Sequence, residues 1–62
     1  MKIILELDND VTSTFDANTL QDAQKQAWQI CEDYQTGGVL VVDGVDFGEY
    51  DYCKGELFYT CL

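Results

Sequence analysis

The sequence predicts an α+β domain in which one antiparallel sheet, formed in the chain order ββαβββ, carries a single helix on one face. Three observations support it. The first residues alternate between apolar and polar, a central segment repeats its apolar positions at the helical period, and two tight-turn signals, Asp43-Gly44 and Lys54-Gly55, divide the last third into short strands. A chain of 62 residues has room for one domain, spanning 1–62.

The elements follow in order. In residues 2–7, Ile3, Leu5 and Leu7 share one face and Lys2, Ile4 and Glu6 the other, the pattern of a half-buried strand in which Ile4 is the one irregularity. Asp8-Asn9-Asp10 is turn chemistry, because Asn and Asp tolerate left-handed dihedrals and bond to their own backbone, and residues 11–15 read as the returning strand. Thr19-Leu20-Gln21-Asp22 has the form of a capping box and starts the helix. The apolar positions Leu20, Ala23, Ala27, Ile30, Cys31 and Tyr34 form one stripe, while Gln21, Gln24, Lys25, Gln29 and Glu32 form the wet side. Gly37-Gly38 is expected to end the helix through a left-handed glycine, and Trp28, beside the stripe, to lie over the sheet edge.

Residues 39–42 are a continuous aliphatic run that reads as a strand buried on at least one side. A two-residue turn at Lys54-Gly55 then pairs residues 45–53 with 56–62, setting Cys53 opposite Glu56, Tyr52 opposite Leu57, Asp51 opposite Phe58, Tyr50 opposite Tyr59 and Glu49 opposite Thr60. One face of this hairpin carries Tyr50, Tyr52, Leu57, Tyr59 and Cys61 toward the helix, and the other carries Glu49, Asp51 and Glu56 into water. A bulge at Gly48 would reverse the facing of everything before it, which leaves the side of Asp46 open.

Composition excludes several functions. Twelve Asp and Glu stand against three Lys, with no Arg and no His, for a net charge of −9. Such a field repels nucleic acid and calls for a basic protein partner. Without His or Arg, the usual general base, oxyanion clamp and phosphate clamp are missing, so the chain is read as non-enzymatic. Cys31, Cys53 and Cys61 have no CxxC spacing and no His to complete a zinc site. They read as buried reduced thiols, with no metal and no cofactor expected. Asp8-Asn9-Asp10 lacks the later Gly and Glu of a calcium loop. No segment has the length of a signal or membrane-spanning stretch, which points to the cytoplasm.

The carboxylates are concentrated late. Residues 1–31 carry a net −3 and residues 32–62 a net −6. Glu32, Asp33, Asp43, Asp46, Glu49, Asp51 and Glu56 are therefore the candidate partner-binding residues, standing in for phosphates. A solubilising acidic surface is the plainer reading. Against it, solubility asks for about half this charge on a small domain, and few cations interrupt the field. Like charge also argues for a monomer.

The segment Phe15-Asp16-Ala17-Asn18-Thr19-Leu20-Gln21-Asp22-Ala23 with Ala27, followed by the hairpins after Gly37-Gly38, resembles the small phage-encoded anti-CRISPR proteins in layout. That resemblance implies an inhibitor of a type I surveillance complex, acting inside the bacterial host during phage infection. Its acidic surface would occupy the basic groove of a Cas subunit that normally receives target DNA or its PAM. The alternative is a non-catalytic acidic interaction module or phage accessory protein that binds another basic partner.

Overall fold

The computed structural model describes all residues from Met1 to Leu62. The elements are β1 (Lys2–Leu7), β2 (Thr12–Asp16), α1 (Leu20–Tyr34), β3 (Gly38–Val42), β4 (Val45–Cys53) and β5 (Glu56–Cys61). They form one five-stranded sheet in the order β2-β1-β3-β4-β5, every neighbouring pair antiparallel. β2 and β3 consequently run parallel with β1 between them, and α1 makes the crossover that joins them. This is the expected ββαβββ arrangement with one helix on one face; β2 begins at Thr12 rather than Val11.

The core lies between α1 and the sheet. Ile3, Leu5 and Leu7 of β1, Leu40 and Val42 of β3, Tyr50 of β4, and Ala17 meet Ala23, Ala27 and Cys31 of the helix. Two alanines and a cysteine on the buried stripe let the helix approach the sheet closely. Tyr50 is the largest fully buried side chain, and its hydroxyl donates to the Gln24 carbonyl at 2.9 Å, so its polar end is satisfied. The stripe is shorter than its spacing suggests: Leu20 and Ile30 are half-buried and Tyr34 is exposed, while Gln24, expected in water, is half-buried. Trp28 stands over Tyr50 of β4, an interior strand, instead of the sheet edge; the rings meet edge-on at 6.2 Å.

The helix ends differ from the sequence reading in two details. Thr19 Oγ1 accepts from the Asp22 amide as expected, but the Asp22 carboxylate accepts from Gln26 Nε2 and does not return to the cap. At the other end the left-handed residue is Gln35, with φ of 54°, and its N–H donates to the Cys31 and Glu32 carbonyls. Gly37 and Gly38 serve packing. A Cβ on Gly37 would overlap the Tyr50 carbonyl, and one on Gly38 would lie 2.7 Å from the Glu6 carbonyl. The start of β3 is thus wedged between the backbones of β1 and β4.

Both tight turns form as read. Asp43 and Gly44 have φ of 49° and 84°, and Lys54 and Gly55 of 52° and 81°, the paired positive values of a type I′ hairpin turn. The β4–β5 register matches every expected pair. Along β3–β4 the register shifts: Leu40 pairs with Gly48 but Val41 with Asp46, so Phe47 is the extra residue of a bulge. Gly48 is needed beside it, because a Cβ there would strike the Tyr59 ring. Of the three thiols only Cys31 is buried; Cys53 and Cys61 are exposed at opposite ends of the last hairpin, contrary to the reading of all three as core residues.

Candidate functional site

Strand alternation sorts the residues of the helix-free face. Since Ile3, Leu5 and Leu7 face the helix, Lys2, Ile4 and Glu6 face away. The register then extends two rows across the sheet. One runs Glu6, Val39, Glu49, Thr60, and the other Thr14, Ile4, Val41, Asp46. Asp51 stands opposite Phe58 and Glu56 opposite Cys53 on the same face.

The bulge decides the membership of Asp46. Counting back from Tyr50, which faces the helix, an unbroken strand would turn Asp46 inward; the extra residue at Phe47 turns it outward beside Val41. Asp46, Glu49, Asp51 and Glu56 therefore share one exposed face, with Glu6 joining from β1 and Asp16 at the β2 end. Glu49 and Asp51 are two residues apart on one strand, about 6.8 Å. Glu6 and Glu49 stand two strands apart across Val39, about 9.6 Å. Between the carboxylates run Ile4, Val39 and Val41, half-buried or buried, and Phe58, which is 52% exposed. The face is a row of spaced charges flanking an apolar strip. No group of three His, Cys, Asp or Glu side chains converges closely enough to hold a metal ion.

Three sequence candidates stand apart from this face. Asp43 occupies the β3–β4 turn, and its Oδ1 accepts from the Lys2 backbone N–H at 2.8 Å, so that carboxylate closes the sheet end. Glu32 and Asp33 lie in the last turn of α1, in the layer on the opposite side of the sheet, where Asp33 accepts from Gln29 Nε2 at 3.0 Å. They belong with Asp8 to a separate acidic end of the molecule, near a helix C-terminus that carries no basic residue. The linear distribution of charge does not single out Glu6 and Asp16, although the alternation of residues 2–7 turns Glu6 away from the core. The tyrosines Tyr50, Tyr52 and Tyr59 belong to the helix side, as expected, and Phe58 is the aromatic ring on the acidic face.

A second feature lies on the helix side. Gln24, Lys25, Trp28, Gln29, Tyr50 and Tyr59 line an open concavity of about 460 Å³. Gln24 Nε2 donates to the Tyr59 hydroxyl at 3.1 Å, and the Tyr50 and Tyr59 rings lie 4.8 Å apart. Burial raises the hydroxyl pKa of Tyr50, with Tyr59 and Cys31 adding to it; burial raises that of Tyr59 as well. Both phenols stay neutral and act as hydrogen-bonding caps to the aromatic stack.

No helix is long and apolar enough to cross a membrane. No protein-family model, curated protein or solved structure matches the chain.

Proposed function

We propose that the chain is a non-catalytic inhibitor of a nucleic-acid-binding complex, and that the helix-free face of its sheet mimics the phosphate row of DNA. The observation that carries this reading is the bulge at Phe47, which brings Asp46 onto the face of Glu49, Asp51 and Glu56 with Glu6 alongside. Glu6, Asp46, Glu49, Asp51 and Glu56 are spaced with no lysine opposite them in the register, as phosphates are along a strand, while Lys2 stands opposite Asp16 at the β2 end, and the apolar strip gives the aliphatic stems of a partner's Arg and Lys a surface to lie on. A basic groove would be occupied by charge and excluded from DNA, with steered association and strong salt dependence. The layout resemblance makes a type I CRISPR effector, at the Cas surface that receives target DNA or its PAM, the particular partner to test. The reading implies action in the cytoplasm of the bacterial host.

The test is competition. A labelled PAM-containing duplex bound to a purified type I surveillance complex is titrated with the chain, and its anisotropy is followed. Displacement that weakens as salt rises supports the reading. Glu49→Lys with Asp51→Lys should weaken displacement by about a hundredfold, as truncation or reversal at close charge pairs does, while Glu32→Gln with Asp33→Asn should leave it unchanged. Displacement that survives the first pair overturns the assignment of the face; no displacement, with a salt-insensitive partner instead, favours a general interaction module.

A further inference from the structure

Net charge led to the expectation of a monomer, yet the charge is unevenly placed. Each sheet edge carries one ionised side chain, Asp16 at the end of β2 and Glu56 at the turn end of β5, but only β5 exposes an aromatic ring. The strand has no proline and pairs with β4 in unbroken register, so neither a missing N–H nor a bulge blocks its outer side. Its exposed side chains include Phe58 at 52%, and Leu62 just beyond it is 65% exposed. The other edge, β2, turns Thr12, Thr14 and Asp16 to solvent.

The direction of the free backbone groups follows from the hairpin. A two-residue turn makes Cys53 and Glu56 a hydrogen-bonded pair, and alternation makes Asp51 with Phe58 and Glu49 with Thr60 the next ones. The Leu62 amide, donating to the Phe47 carbonyl at 3.1 Å, continues the same parity. The N–H and C=O groups of Leu57, Tyr59 and Cys61 therefore point away from β4, at every second residue, with no strand to receive them.

We infer that β5 pairs antiparallel with β5 of a second copy of this chain, about a two-fold axis at Phe58. That register sets Leu57 opposite Tyr59 of the second copy, and Tyr59 opposite its Leu57, so both copies exchange N–H and C=O bonds reciprocally. It sets Phe58 against Phe58 in the closer, non-hydrogen-bonded kind of pair, covering the ring that the monomer exposes. Glu56 falls opposite Thr60. The two Glu56 side chains are then about four residues apart along the seam, about 14 Å, beyond the Debye length of about 8 Å at physiological ionic strength. The seam is short, below the area of a permanent interface, so the dimer is a transient one. Because the axis is perpendicular to the sheet, both acidic faces point the same way across ten strands.

The experiment is sedimentation of the full chain from low micromolar to millimolar concentration, at about 0.05 M and about 0.5 M salt. A mass that rises toward the dimer with concentration, and further at high salt as the −9 charges are screened, supports the pairing. Phe58→Lys, at an exposed position, should weaken association by about tenfold or more, and Thr14→Lys on β2 should leave it unchanged. In a Cys53→Ser, Cys61→Ser background, Phe58→Cys should cross-link to a dimer under copper-catalysed air oxidation, and Thr14→Cys should not. A monomer throughout, a dimer indifferent to Phe58→Lys, or cross-linking through Thr14→Cys alone would each overturn the inference. The acidic-face reading demands binding that salt weakens and this one demands association that salt strengthens, so the two fail separately.

Discussion

At the scale of single residues, the glycines make the sharpest statements. Gly37 and Gly48 both sit where a Cβ has no room, but against different neighbours: a main-chain carbonyl of Tyr50 in one case and the end of the Tyr59 side chain in the other. A backbone in the middle of a sheet cannot move aside, whereas a phenol can swing at the cost of its stacking on Tyr50. Gly48→Ala should destabilise the fold by about 1–3 kcal/mol, as overpacking does, and Gly37→Ala by more, to the point of preventing a cooperative urea transition. Equal transitions for the two variants would contradict this account. Cys31 supplies a second residue-scale prediction. Burial, with a smaller contribution from Asp8, pushes its thiol from 9.0 to about 11. The folded state thus holds a proton that the unfolded state gives up first, so stability is complete below pH 9 and declines as pH rises toward about 11. Thermal unfolding of wild type should fall across that window, and Cys31→Ala, less stable at neutral pH because of the cavity it leaves, should fall less steeply.

At the scale of elements, the helix and the hairpins differ in how completely local chemistry specifies them. The hairpin β4–β5 was legible down to its pairing because Lys54-Gly55 forces a two-residue turn, and such a turn fixes every pair behind it. The helix was legible in extent and at its Thr19 cap, but not at its C-terminal end. The Thr19 cap is a local bond, and Thr19→Ala should cost about 1 kcal/mol in chemical denaturation. The C-terminal cap falls on Gln35, a residue with no intrinsic liking for φ of 54°, because Gly37 and Gly38 are already committed to the close approach of β1 and β4. Gln35→Gly should therefore stabilise by about 1 kcal/mol, removing the left-handed penalty that a Cβ carries. A destabilised Gln35→Gly would mean that the side chain contributes something the backbone geometry does not require.

For the molecule as a whole, the governing quantity is charge set against a small core. Ten buried residues hold a domain that carries −9, with no cation in the last helical turn to offset Glu32 and Asp33. Self-repulsion of this size is a standing cost that salt relieves. The melting temperature should rise between about 0.05 M and about 0.5 M salt, and Glu32→Gln with Asp33→Asn should raise it at low salt, each change easing an unfavourable charge at the helix C-terminus by about 0.3–1 kcal/mol. A melting temperature indifferent to salt would show that the carboxylates are too dispersed to strain the fold. The two-layer architecture also divides these charges into groups that no linear count separates. Glu6, Asp46, Glu49, Asp51 and Glu56 lie on one side of the sheet, Glu32 and Asp33 in the helix layer on the other, and Asp43 in a turn where its carboxylate ties the sheet end to Lys2.

What the sequence determined by itself was everything carried by local periodicity and turn chemistry: five strands, one helix, both two-residue turns, the last register and the inward set Ile3, Leu5 and Leu7. These depend on residues a few positions apart, so the pattern is written where it acts. Tertiary structure alone decided which side of the sheet Asp46 joins, that Gly37 and Gly38 serve packing while Gln35 caps the helix, and that Glu6 belongs with the distant carboxylates of β4 and β5. Each of those depends on how closely two distant backbones approach and on which strand becomes the neighbour of which. That choice is made when the helix closes over the sheet and β3 is inserted between β1 and β4, and no short stretch of the chain contains it.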